Sequence, residues 1–108
     1  MRVLVVDDDE LTLTLVRHIL DEHDVTIVAD AEAALALFEA GTFDVVLSDV
    51  VMPRMNGGQL RDAVHALGRP IKFAFLSAGA LEQDMTRFTP CLMKPFTPEA
   101  LRAFVSTL

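Results

Sequence analysis

"RVLVVDDDE", Arg2 to Glu10, is an apolar run that stops at four consecutive acids. Val3 to Val6 run without a polar interruption, as a strand does when both faces of its sheet are covered. Two carboxylates about 4 Å apart repel by roughly 4 kcal/mol at an effective dielectric near 20. Acids crowded at a strand end therefore have to be solvated, separated or neutralised.

Similar runs recur along the chain. "VTIV" (Val25 to Val28), "DVVLS" (Asp44 to Ser48), "IKFAFLS" (Ile71 to Ser77) and "CLM" (Cys91 to Met93) read as further strands. Helical spacing fills the intervals. Leu11, Leu15, Val16, Ile19 and Leu20 form one stripe, and Leu35, Leu37 and Phe38 with small alanines a second. Leu60, Ala63, Val64 and Leu67 form a third, and Leu101, Phe104, Val105 and Leu108 a fourth. Asp9 and Asp30 are placed to cap the first two helices, Gly57 and Gly58 open the third, and Thr97 with Pro98 opens the last. This alternation predicts an α/β fold, a parallel sheet with helices on both faces, with its site beyond the carboxyl ends of the strands. Only "AGALEQDMTRFTP", Ala78 to Pro90, lacks periodicity where a fourth crossover helix would lie, leaving a short helix around Leu81 to Arg87 or a loop.

The totals set bounds on function. With 108 residues, 52% hydrophobic and 23% charged, the chain reads as one globular domain over residues 1–108. No apolar stretch approaches the roughly 20 residues of a membrane span, and no secretory signal is visible, so a cytoplasmic location and no membrane partner are expected. Nine basic against sixteen acidic residues, a net charge of −7, argue against nucleic acid as a partner of this domain. The lone Cys91 excludes an internal disulfide.

The predicted strand ends carry Asp7 and Asp8, Asp49, Ser77, and Lys94 followed by Pro95. Each has an ordinary explanation: helix capping or solvation for the acids, a turn for Asp49, a structural hydroxyl at Ser77, a snorkelling stem at Lys94. A parallel sheet, however, brings all of them to one edge. Hard carboxylate oxygens are the ligands Mg²⁺ prefers, and it keeps sites free for phosphate. The cation would offset the repulsion of Asp7, Asp8 and Asp49 and leave one carboxylate able to attack phosphorus, giving an acyl phosphate. Lys94 and the Ser77 hydroxyl suit the resulting phosphoryl oxygens.

"VLVVDDDE", "DVVLSDVVMPRMNGG" (Asp44 to Gly58), "FLSAGA" (Phe75 to Ala80) and "LMKPF" (Leu92 to Phe96), in this order, resemble the receiver domains of two-component response regulators, including the chemotaxis regulators. The resemblance covers essentially the whole chain. It implies a flavodoxin-like doubly wound sheet of five strands in the order 2-1-3-4-5. It implies that Asp49 is the phosphoacceptor, taking a phosphoryl group from a histidine kinase or histidine phosphotransfer protein. Asp8, Asp49 and the backbone carbonyl of Val51 would ligate Mg²⁺ directly, and Asp7 through a water. Ser77 would be the switch hydroxyl and Lys94 the phosphate contact, with a cis Lys94–Pro95 bond. Such a domain switches a partner or fused domain and catalyses only its own phosphorylation and dephosphorylation, so no separate enzyme activity is expected.

Three departures qualify the resemblance. An aromatic residue often stands three positions before the lysine in this family, and here that position is Cys91. Only sixteen residues separate Ser77 from Lys94, so the fourth crossover helix should be short, distorted or absent. It normally forms part of the output and dimer face, which leaves room for a weak dimer only. Val51 and Gly79, two residues past the acceptor and the switch hydroxyl, offer no polar side chain to a hydrolytic water. Two other readings compete: a receiver-like module kept for protein binding alone, and an Mg²⁺-dependent phosphohydrolase with an aspartate nucleophile, which would leave Asp49 without a role.

Overall fold

The computed structural model describes residues 1–78 and 89–108. Residues 79–88, the bulk of the stretch expected to hold a short or distorted crossover helix, and with them Gly79, lie outside the described residues. Strands β1 (Arg2–Val6), β2 (Asp24–Val28), β3 (Val45–Ser48), β4 (Lys72–Ser77) and β5 (Cys91–Met93) alternate with α1 (Glu10–Ile19), α2 (Ala31–Ala40) and α3 (Gly57–Ala66), and α4 (Pro98–Ser106) closes the chain. All strand pairs are parallel, and the order is β2-β1-β3-β4-β5. The flavodoxin-like fold is therefore the one the chain adopts, with four helices among the described residues.

Side chains alternate across the sheet, so the two faces build two cores. Val3, Val5, Val45, Leu47, Ala74 and Leu76 pack with α1 and α4 through Leu13, Val16, Leu101 and Val105. Leu4, Val6, Val46, Phe73 and Phe75 pack with α2 and α3 through Ala34, Phe38, Leu60 and Val64. Each fully buried Val, Leu or Phe contributes about 1.5–3 kcal/mol, which is why the central strands tolerate no polar interruption. One stripe differs from its sequence reading. On α1 the buried face is Leu13, Val16 and Ile19, continued by Leu20, whereas Leu11 is 82% exposed and Leu15 49%. At 3.6 residues per turn, positions 13, 16 and 20 share one arc, and 11 points nearly opposite.

The helix starts follow from side-chain caps. The Asp9 carboxylate accepts from the Leu11 N–H at 3.2 Å, Asp30 from the Ala33 N–H at 2.7 Å, and Thr97 Oγ1 from the Ala100 N–H at 3.1 Å. At α3 the cap is Asn56, which exchanges hydrogen bonds with Gln59 in a capping box.

Candidate functional site

Register places the polar residues. Val6 pairs with Ser48 across β1 and β3, so Asp7 and Asp49 leave adjacent strands side by side at the point where the strand order reverses. Ser77 pairs with Met93, which puts Lys94 one step beyond the end of the β4–β5 ladder. The Lys94 N–H donates to the Ser77 carbonyl at 2.6 Å, and the Lys94–Pro95 bond is cis.

Asp7, Asp8 and Asp49 each offer a carboxylate oxygen, and these lie within 4.8 Å of one another. Their surroundings differ sharply. Asp7 is buried at 2% exposure, and one of its oxygens accepts from the Asp9 N–H at 2.9 Å. Its other oxygen accepts from Lys94 Nζ at 2.5 Å. Asp8 is exposed, and Asp49 lies between the two extremes. Asp49 is oriented by its own loop: one of its oxygens accepts from the Val50 N–H at 2.8 Å, and its other stands 3.6 Å from Lys94 Nζ. Burial pushes the Asp49 carboxyl above its ordinary pKa. The Lys94 ammonium opposes that shift, the Asp7 charge adds to it, the Val50 N–H opposes it, and Asp8 adds a smaller contribution.

The loop after Asp49 is fixed by backbone geometry. Gly57 N–H donates to the Val50 carbonyl at 2.8 Å, and a Cβ on Gly57 would stand 2.2 Å from the Asp49 carbonyl oxygen. Glycine is the only residue that fits. At the loop tip Arg54 has φ +68°, a left-handed conformation uncommon outside glycine, and its guanidinium reaches Asp30 at 3.8 Å and Glu32 at 3.5 Å. Val51, two residues past Asp49, is 78% exposed.

Of the residues singled out in the sequence, Asp7, Asp8, Asp49 and Lys94 converge on one pocket, and Ser77 is buried at the end of β4 beside it. The acids beyond them serve the helix instead. Asp9 caps α1, and the Thr12 hydroxyl and Leu11 N–H hold its carboxyl below the usual range. The sequence does not single out Asn56, although "NGGQ" carries the spacing of a capping box, nor Arg54 and Arg61, whose contacts with Asp30 and Thr89 join residues distant in sequence.

A doubly wound sheet that gathers three carboxylates under one ammonium at its switch point has the build of a receiver-type signalling domain. The chain belongs to the response regulator receiver domain family, whose model matches residues 3–106. It is 36% identical, over an alignment 116 positions long, to the virulence sensor protein BvgS of Bordetella bronchiseptica, covering 94% of this chain but only 9% of that protein. A 14.6 kDa protein from Leptolyngbya boryana is also 36% identical, over 91% of this chain and 82% of its own length. Chemotaxis protein CheY4 of Vibrio cholerae superposes with a TM-score of 0.91 at 30% identity, over 98% of this chain and 96% of that one. Among the described residues no helix is long and apolar enough to cross a membrane.

Proposed function

We propose that Asp49 is the phosphoacceptor of this receiver domain and that Asp8, Asp49 and the Val51 carbonyl hold Mg²⁺ for the transfer, with Asp7 acting through a water. The observation that carries the reading is the convergence of three carboxylate oxygens within 4.8 Å, with Lys94 Nζ 3.6 Å from Asp49. Four charges of which three are negative leave the pocket short of positive charge. A donor set made only of hard oxygens suits Mg²⁺. When bound, the ion would neutralise the cluster and the phosphoryl oxygens.

The donor in this reading is a phosphohistidine on a histidine kinase or phosphotransfer protein, the chemistry of the two-component family. An Asp49 carboxylate oxygen forms a P–O bond while the P–N bond to the histidine breaks, and the imidazole leaves with the P–N electron pair and takes up a proton. The Val50 N–H already holds one Asp49 oxygen at 2.8 Å, which leaves the other to attack. Lys94 then has a phosphoryl oxygen to pair with as well as Asp7, and the Ser77 hydroxyl is the second group available to that oxygen set. Neither Val51 nor Gly79 supplies a polar side chain for hydrolysis of the acyl phosphate. The whole of residues 1–108 acts as the phosphorylated unit.

Incubation with a small acyl phosphate and Mg²⁺, followed by intact mass, tests this. The expected result is a gain of one phosphoryl group that is lost in Asp49→Asn and on removal of Mg²⁺. Steady turnover of phosphate esters would replace the reading with a hydrolase, and no reaction would leave a binding module.

A further inference from the structure

We propose that Arg61 is a positioning residue for Lys94, tying the strand that delivers the lysine to the helix that is registered on Asp49; the inference rests on Asp49 as the phosphoacceptor. Strand β5 has only three residues and lies at the sheet edge, with a ladder partner on one side alone. Its hold on β4 comes from the Cys91–Met93 register, the Phe75 N–H to Pro90 carbonyl bond at 2.9 Å and the Lys94 N–H to Ser77 carbonyl bond at 2.6 Å. So short an edge strand is a weak anchor for a side chain that must sit within a few ångströms of the reacting carboxylate.

Arg61 supplies a second anchor. Its side chain is 18% exposed, its Nε donates to the Asp62 carboxylate on the same helix at 3.2 Å, and its Nη1 donates to the Thr89 hydroxyl at 3.2 Å, two residues before β5 begins. Thr89 is itself buried. The guanidinium carbon lies 5.7 Å from the centroid of Phe75, the residue paired with Cys91 across β4 and β5. Arg61 thus holds the segment leading into β5 by a hydrogen bond and β4 by a cation–π contact.

The other end of the connection is equally definite. Arg61 stands one helical turn after Gly57, whose N–H is bonded to the Val50 carbonyl and whose missing Cβ lets it sit against the Asp49 peptide. The contacts close a circuit: Asp49 peptide, Gly57, α3, Arg61, Thr89, β5, Lys94, and back to Asp49 at 3.6 Å. Nucleophile and ammonium are therefore spaced by α3 as well as by the sheet. A guanidinium with so little exposure is costly to desolvate; Asp62 offsets part of that cost, and the contacts with Thr89 and Phe75 give the side chain a role that an aliphatic one of similar volume would not fill.

The test compares Arg61→Met, which keeps the stem and removes the donors, Thr89→Val, which removes the acceptor at constant shape, and the double variant, all in the full chain. Phosphorylation by acetyl phosphate at saturating Mg²⁺ is timed by intact mass, Mg²⁺ affinity is followed by NMR titration, and stability by urea unfolding. Both single variants are expected to slow phosphorylation at saturating donor by roughly ten-fold or more, as misplacement of a reacting group does. Mg²⁺ affinity stays at the native value because its three carboxylates are untouched. The double variant is no slower than either single, and Arg61→Lys recovers part of the rate. Should Arg61→Met fail to fold, Thr89→Val carries the same readout. Unchanged rates, additive losses, or a parallel loss of Mg²⁺ affinity would overturn the assignment. A native protein that takes up no phosphoryl group would sink the Asp49 reading and this inference with it; a phosphorylated native protein with indifferent variants would sink the inference alone.

Discussion

The two edges of the sheet carry similar groups to opposite ends. At the amino edge Arg2 stands among acids: its Nε is 3.4 Å from Asp24, its backbone N–H donates to the Asp44 carboxylate at 2.7 Å, and its Nη1 donates to the Thr42 hydroxyl at 2.9 Å. These side chains are open to solvent, 47% for Arg2 and 72% for Asp24, so water completes whatever the pairs leave unmet. At the carboxyl edge three acids face one lysine, Asp7 is all but sealed from water, and Asp49 is partly so. Charge at the first edge is solvated and dispensable. Charge at the second is left unbalanced, and a site with that property can be changed by a cation or a phosphoryl group.

The largest effect expected from perturbing this contrast is on the carboxyl edge at Gly57. Gly57→Ala forces a methyl group to within 2.2 Å of the Asp49 carbonyl, with backbone rather than a yielding side chain as the obstacle. Urea unfolding should show a loss of about 3 kcal/mol or more, since the Asp49 loop must move. Mg²⁺ binding, followed by NMR, should weaken in the same variant. Gly68→Ala is the matched control: nothing lies within 4 Å of its Cβ, so only its φ of +72° resists, at about 1 kcal/mol.

Lys94→Met comes next. It leaves the buried Asp7 without its ammonium, and breaking a buried pair costs roughly 3–5 kcal/mol, reduced here toward about 2 because the lysine side chain retains 16% exposure. Added Mg²⁺ should restore much of that loss, because a ligand bound only to the native state stabilises it by about 1.4 kcal/mol at ten times its Kd. No rise in the stability of either protein on adding Mg²⁺ would show that the ion does not enter this pocket.

How much of this could be read in the sequence depended on whether the determinant was local. Val3–Val6 and Asp44–Ser48 declared their strands because burial on both faces demands unbroken apolar runs, and the strand ends declared the site because a parallel sheet collects them. The Asp30 and Thr97 caps were legible because cap and helix adjoin. The α1 face was misread because Leu11, Leu13 and Leu15 are chemically alike, and only the docking of the helix decides which is buried. Arg61 and Arg54 escaped notice for another reason. Their contacts with Thr89 and Asp30 span 28 and 24 positions, and nothing in a single sequence marks such pairs.

Asp49→Asn should move stability the other way. The folded-state pKa of Asp49 is raised, chiefly by burial, so its ionised form is a penalty that grows as pH rises from the ordinary carboxylate value through the raised one. Removing the charge should therefore stabilise the Mg²⁺-free protein at pH 7, by less than about 1 kcal/mol once solvent screening is allowed for. The gain should vanish below the ordinary carboxylate range, where Asp49 is protonated in folded and unfolded chains alike. Mg²⁺ should also shrink it, because an ion held by these carboxylates would already neutralise the charge that asparagine removes.

The smallest effect belongs to the amino edge. Arg2→Met keeps the aliphatic stem and removes the exposed charge, together with the contact of the guanidinium over Phe43 at 5.0 Å. Exposed pairs of this kind are worth about 0.2–1 kcal/mol and are screened within roughly 8–10 Å in ordinary salt. Urea unfolding should register a loss near 0.5 kcal/mol that fades in high salt, with Mg²⁺ binding and phosphorylation unchanged. The Arg2 backbone N–H to Asp44 is untouched by this substitution, and it holds the start of β1 in register with β3. A large loss from Arg2→Met would mean that the amino edge is stressed as the carboxyl edge is, and that unbalanced charge alone does not single out the functional end of the sheet.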